Sequence, residues 1–353
     1  MDRISIEGRQ GLVRTVPDGL DPGSDVAQMS LLGYDPLRYY SGRAPIEAAA
    51  KNIRLGLDDW VFRCNLVTLA DGLMADHSAG HISTEEGGSL IRELAKHITD
   101  ERIALHTGVS YRHLMVVKGV EFDVRTYPPH DHIGKPVEKL LPRGKGADLL
   151  IQLMNQSQQL FAGHEINKVR QDLGENQVSS IWLWGQGRQA RLDSFRKRYG
   201  LKGAAITAVD LVRGLAKLVG FDLIHVQGAT GFLDTIEALE KYDLVFIHVE
   251  APDEAGHERN ADAKKQAIEQ VDRHVVGPVL EALRRYEDWR ILLLPDHPTP
   301  VGTGAHSAAP VPFAMTGTGV AGILHAGFSE SNAAKAGLRI ERGCELMEYF
   351  LKS

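Results

Sequence analysis

The chain has 353 residues, 43% of them apolar, with 40 basic against 46 acidic side chains and a formal net charge of −6, which is length enough for two domains or for one large domain with an insertion. The acidic balance disfavours nucleic acid as a partner, and no apolar run or N-terminal segment reads as a membrane span or a secretory signal. Two distant cysteines, Cys64 and Cys344, cannot build a disulfide framework, so a reducing, cytoplasmic setting is expected.

In chain order, a first region from Met1 to about Gly56 reads as a short helix, a strand over Gly11–Val16, the loop Pro17–Ser24 and a helix from Asp25. Val26, Met29 and Leu32 share a face of that helix, and Gly33 and Pro36 end it. A second region, 57–178, has strand-like runs at Val61–Leu69 and Leu114–Val120 and a hairpin turn at Ala70-Asp71-Gly72. It also has a helix over Thr84–Ile98, opened by a capping box from Ser83 to Glu86. The third region, 179–353, alternates strands (Ser180–Trp184, Gly203–Thr207, Asp222–Val226, Leu244–Val249, Arg290–Pro295, Val311–Met315) with helices such as Val209–Leu218, Leu233–Lys241 and Asn260–Arg285. Runs as continuously apolar as Leu244–Ile247 and Ile291–Leu294 predict an α/β core with a mainly parallel sheet covered by helices on both faces. The first and third regions would form this core, and 57–178 an inserted α+β domain.

Ligands of parallel sheets bind beyond the carboxyl ends of the strands. There the chain places Asp253 and His257, then Asp296 and His297, and, before Val311, His306. Imidazoles and carboxylates together suit divalent metal ions. Singly, each has a structural reading as a capping or loop residue. As five residues gathered at successive strand ends they point to a metal site. Ser24, at a loop-to-helix junction, is either a plain N-cap or, beside a divalent cation, a nucleophile.

The segments PDGLDPGSDVAQMSLLGYDP (17–36), FRCNLVTLADG (62–72), SAGHIS (78–83), GVSYRH (108–113), WLWGQG (182–187), HVEAPDEAGHE (248–258), PDHPTP (295–300) and GAHSAAPVPF (304–313) span the whole chain. With them it resembles the cofactor-independent phosphoglycerate mutases of the archaeal type, in the alkaline phosphatase superfamily. The resemblance implies an alkaline-phosphatase-like core with two divalent metals (Mn, Mg, Co or Zn) and an insertion that closes on a small phosphoglycerate substrate. Asp253, His257 and His306 would hold one metal, and Asp296, His297 and Ser24 the other. Ser24 would take the phosphoryl group of 3-phosphoglycerate and return it to the 2-hydroxyl, without 2,3-bisphosphoglycerate. His81 and Arg112 in the insertion, with Lys202 and Arg188, are candidates for holding phosphate or carboxylate. Arg112 could equally be a surface ion pair and Lys202 a solvated turn residue. A phosphatase or phosphotransferase acting on another small phosphate ester is the alternative reading, and a non-catalytic form of the fold is a third.

The chain departs from the family in one respect. Members open with a strand ending in Asp-Gly-x-x-Asp, whose first Asp is a ligand of the second metal. Here Asp71-Gly72 falls in the insertion and Asp18-Gly19 in the serine loop, so neither replaces it. The second metal would lack that carboxylate, and strand edges beside the missing strand would stay unpaired. The expectation is little mutase activity for this chain and recovery in a form extended upstream of Met1. Equal activity of the two forms with Mn2+ would overturn it.

Overall fold

The computed structural model describes residues 1–224 and 231–353. The chain divides into two units, one of residues 1–40 with 191–353 and one of residues 41–190.

The 41–190 unit is organised by one long strand, Trp60–Ala70. On one side it pairs antiparallel with Ser180–Arg188. On the other it pairs antiparallel with Arg112–Val117 and then, past a register shift at Thr68/Leu69, with Leu73–Asp76. Asp71 and Gly72 both take positive φ (52° and 73°), which a two-residue hairpin matched to strand twist requires. The helix Thr84–His97 carries the expected capping box, with Ser83 Oγ accepting from the Glu86 N–H at 3.2 Å and a Glu86 oxygen accepting from the Ser83 N–H at 3.3 Å. Its Leu90 and Leu94, four residues apart on one face, are fully buried with Phe62, Leu66 and Leu150. The unit begins at Ser41 and ends at Ala190 because the helix Ala44–Ala50 packs on the Trp60–Ala70 strand and because Ser180–Arg188 is that strand's ladder partner. Ser180–Trp184 is therefore an antiparallel strand of this sheet, where the apolar run alone had placed it in a parallel core.

In the other unit, Arg290–Leu293, Val311–Gly317, Arg9–Val13 and Arg339–Ile340 lie in that order. The first two pairings are antiparallel and the third is parallel. A second sheet, Asp222–Leu223, Gly203–Ile206 and Leu244–Ile247 in that order, is wholly parallel. The expected mainly parallel sheet is thus mixed among the described residues. Leu244–Ile247 and Arg290–Leu293 each end a sheet there, and all their residues are partly buried rather than covered on both faces. An edge strand has a ladder partner on one side only. Of the strand expected over Asp222–Val226, Val226 lies outside the described residues. The helix expected over Asn260–Arg285 is interrupted: Ala261–Val271 passes through a π turn, Asp272–Val276, into Gly277–Leu283. Pro278 is the cause, since it has no N–H for the His274 carbonyl and its ring crowds that carbonyl. No helix among the described residues is long and apolar enough to cross a membrane.

Candidate active site

The strand Leu244–Ile247 runs out into the helix Ala251–His257, with Pro252 in its first turn. Asp253 and His257 are four residues apart and so share one face of it. Gly256 lets this helix sit tightly on the next loop, because a Cβ there would come within 2.7 Å of the Thr299 carbonyl oxygen. That loop follows Arg290–Leu293 and carries Asp296, His297 and Thr299, while His306 lies in the coil before Val311–Gly317. Six residues drawn from three segments of one unit therefore meet.

Hydrogen-bond chemistry settles how the imidazoles point. His257 Nδ1 faces the Gly304 carbonyl at 3.0 Å and His306 Nδ1 faces the Pro22 carbonyl at 3.2 Å. A carbonyl oxygen only accepts, so each Nδ1 carries the proton and each Nε2 a lone pair. These two Nε2 atoms lie 2.9 Å apart. Two lone pairs at that distance repel unless a cation or a proton lies between them. Asp253 completes the group, with Oδ2 3.2 Å from His257 Nε2 and Oδ1 3.6 Å from His306 Nε2. Nitrogen and oxygen donors around one tetrahedral ion sit roughly 3.3 Å apart. The donor types and spacing of Asp253, His257 and His306 therefore fit a divalent metal.

The second set is built in the same way. Thr299 Oγ1 donates to Asp253 Oδ1, so toward His297 Nδ1, 3.4 Å away, it accepts. His297 thereby turns a lone pair on Nε2 toward Ser24 Oγ, 3.1 Å away, and Asp296 Oδ2, 3.5 Å away. Asp296 is held by the Gln28 amide at 3.0 Å and by its own neighbour's N–H at 2.9 Å, and Thr15 holds the Asp296 carbonyl at 2.5 Å. Among the described residues the buried Gln28 Oε1 has no hydrogen-bond partner, an acceptor left over next to a carboxylate, which also fits a cation in this set. Ser24 is the first residue of the helix Ser24–Leu31 rather than its cap, which is Gly23, so its hydroxyl is not spent on capping.

Burial opposes ionisation of Asp253, but the neighbouring His306 imidazole, the Thr299 hydroxyl that donates to it and the nearby His257 outweigh it and hold the carboxyl well below its usual range. Burial lowers the proton affinity of His297, only partly offset by Asp296, so the ring is neutral at neutral pH, as a ligand must be. The Asp253 carboxylate beside it raises the proton affinity of His306 against burial.

Ser24, Asp253, His257, Asp296, His297 and His306 are brought together, and Lys202 is not among them. Lys202 lies just before Gly203–Ile206, at the amino end of the parallel strands, 3.8 Å from Asp222 and over the Tyr242 ring, whereas the metal-type residues follow the carboxyl ends. His81, Arg112 and Arg188 belong to the 41–190 unit. There Arg188 pairs with Glu121 at 2.6 Å and Arg112 lies over Tyr111. His81 closes a turn in which Ala79, Gly80 and His81 all have positive φ. Gln28 and Thr299 were not singled out from the sequence, although both lie in the segments quoted above. The signal for Gln28 was its position four residues after Ser24, on the same helix face. Thr299 had none, because its role depends on the approach of a distant helix.

A family model described as 2,3-bisphosphoglycerate-independent phosphoglycerate mutase matches residues 6–167. The chain is 48% identical over 361 residues to the 2,3-bisphosphoglycerate-independent phosphoglycerate mutase of Methanothrix thermoacetophila, covering 99% of this chain and 91% of the relative. It is 44% identical to that of Methanosarcina mazei, covering 100% and 92%. Among solved structures it is similar to the PH0037 protein of Pyrococcus horikoshii, with a TM-score of 0.82 and 28% identity, covering 99% of this chain and 88% of that one. The cofactor-independent phosphoglycerate mutase of Thermoplasma acidophilum shares the fold, with a TM-score of 0.66 at 22% identity, covering 99% and 90%.

Proposed function

The chain belongs to the 2,3-bisphosphoglycerate-independent phosphoglycerate mutase family, and from that premise we propose that Ser24 is the residue through which it interconverts 3-phosphoglycerate and 2-phosphoglycerate. Ser24 Oγ attacks the phosphorus of 3-phosphoglycerate. The bond from phosphorus to the 3-oxygen breaks, its electron pair leaves with that oxygen, and the proton lost by Ser24 ends on it. The 2-hydroxyl of the same glycerate then attacks the phosphoserine and returns its proton to Oγ, so the cycle needs no outside phosphoryl donor.

Asp253, His257 and His306 would hold one divalent ion, and Asp296, His297 and Ser24 a second, with Mn, Mg, Co and Zn as candidates. Such ions supply charge stabilisation for the transferring phosphoryl group. The protein's own part is to keep every Nε2 lone pair turned inward, through the Gly304, Pro22 and Thr299 oxygens, and to present a serine hydroxyl not used as a helix cap. The observation that carries this reading is the 2.9 Å approach of the His257 and His306 Nε2 atoms beside Asp253. In the same reading residues 1–40 and 191–353 form an alkaline-phosphatase-like core, and a cytoplasmic setting suits the two free cysteines.

Following 3-phosphoglycerate by phosphorus NMR with added Mn2+ tests the proposal against a phosphatase. The 2-phosphoglycerate resonance is expected to grow without inorganic phosphate; phosphate as the main product would place the chain among phosphatases instead.

A further inference from the structure

We infer that Asp25 and Tyr40 are a pair of positioning residues that fixes the end of the serine loop, and, resting on the reading of Ser24 as the nucleophile, that this pair sets the aim of its hydroxyl. The helix Ser24–Leu31 is preceded by Gly23, which has no side chain with which to cap it. Asp25, in the first turn, does so instead. Its Oδ1 accepts from the Val26 N–H at 3.0 Å, one of the N–H groups that the start of a helix leaves unbonded. Its Oδ2 accepts from the Tyr40 hydroxyl at 2.5 Å. Asp25 is only 7% exposed, and burying a carboxylate is costly unless hydrogen bonds hold it. Here one bond ties it to the helix start and the other to a side chain fifteen residues away. Capping from Asp25 also leaves the Ser24 hydroxyl free of that task.

Two features of the surroundings are built for this pair. A Cβ at position 23 would lie 2.7 Å from Asp25 Oδ1, so glycine there is what lets the carboxylate fold back beside the residue that precedes the nucleophile. The Tyr40 ring packs on Val16, Val26 and Ala27, as do Leu20 of the serine loop and Ala308 of the coil that carries His306. The ring is thus seated on the same apolar cluster as the loop that its hydroxyl anchors. The loop needs an anchor. Between Pro17 and Gly23 it makes one internal backbone bond among the described residues, from the Leu20 N–H to the Pro17 carbonyl at 3.3 Å. Yet its last residues meet both sets of metal-type side chains: the Pro22 carbonyl accepts from His306 Nδ1 at 3.2 Å, and Ser24 Oγ faces His297 Nε2 at 3.1 Å. The next residue in the chain is the one that Tyr40 holds. Misplacing a reacting atom by about 1 Å can cost on the order of 10^2-fold in rate, so a loop with little bonding of its own gains its precision from this tether.

The test assays the full chain on 3-phosphoglycerate at saturating Mn2+ and follows amide hydrogen exchange by mass spectrometry. Tyr40→Phe, which keeps the packed ring and removes the hydroxyl, is expected to lower kcat by about tenfold or more while KM stays within about twofold. Exchange over residues 17–26 is expected to quicken in the same variant, which still melts cooperatively. In an Asp25→Ala background the same Tyr40→Phe change is expected to cost less than about twofold in kcat, because the two residues act as a unit. Unchanged kcat, or unchanged exchange over 17–26, in a folded Tyr40→Phe protein overturns the inference. A tenfold loss that persists in full in the Asp25→Ala background also overturns it, since Tyr40 would then act apart from Asp25. If Tyr40→Phe fails to melt cooperatively, unchanged kcat in Asp25→Ala overturns it instead. Wild type that turns over without phosphate on Ser24 removes the nucleophile reading and the inference with it. Phosphorylated Ser24 in wild type, with Tyr40→Phe as fast as wild type, removes the pair and leaves that reading standing.

Discussion

Replacing Ser24 with alanine is expected to lower conversion of 3-phosphoglycerate by at least about 10^3-fold, the order seen when a covalent nucleophile is removed. Phosphorylated protein should disappear with it. The size follows from what the hydroxyl does in the structure. It faces His297 Nε2 at 3.1 Å and does not cap its helix, so its loss leaves the Ser24–Leu31 helix intact while removing the attacking atom. The thermal midpoint should stay close to wild type, since a partly exposed Ser→Ala change without a capping bond falls in the small range of surface substitutions, about 0.5 kcal/mol or less. Intact-protein mass spectrometry after brief exposure to substrate reads out the phosphoenzyme. A phosphorylated Ser24→Ala protein would move the nucleophile elsewhere.

Asp253→Asn is expected to weaken the tighter class of divalent binding by about 10^2-fold or more and to lower turnover correspondingly. Asparagine has the same shape but no charge, so the effect isolates electrostatics from packing. Among the described residues Asp253 is the one carboxylate in reach of both His257 and His306, at 3.2 and 3.6 Å, and it also receives the Thr299 hydroxyl. Without it, two imidazole lone pairs 2.9 Å apart have no anionic ligand to balance a bound dication. Mn2+ titration followed by electron paramagnetic resonance measures the loss directly. Unchanged Mn2+ affinity would show that this cluster is not where metal binds.

The local features of the fold were legible because their causes are local. The Ser83–Glu86 capping box and the Asp71-Gly72 turn depend on residues within four positions of one another, and both are found as read. The break in the Asn260–Arg285 helix had its cause in view, since Pro278 removes the bond that would hold the preceding turn. Strand partners were a different matter. Ser180–Trp184 is as apolar as a parallel core strand, yet it pairs antiparallel with Trp60–Ala70, because hydrophobicity says that a strand is buried and not against what.

For the candidate site, the sequence by itself determined the chemistry: a serine at a helix start and two aspartates with three histidines at strand ends. Residue type sets which atoms can bind a cation, and continuous apolar runs set where strands stop. Only the tertiary structure decided which of these atoms face one another. It put Lys202 at the opposite end of the strands from Asp253, and it assigned each imidazole its orientation through oxygens of Pro22, Thr299 and Gly304. Those partners lie far from their histidines in the chain, except Thr299 beside His297. Donor direction depends on such long-range approaches, which no local pattern of residue types encodes.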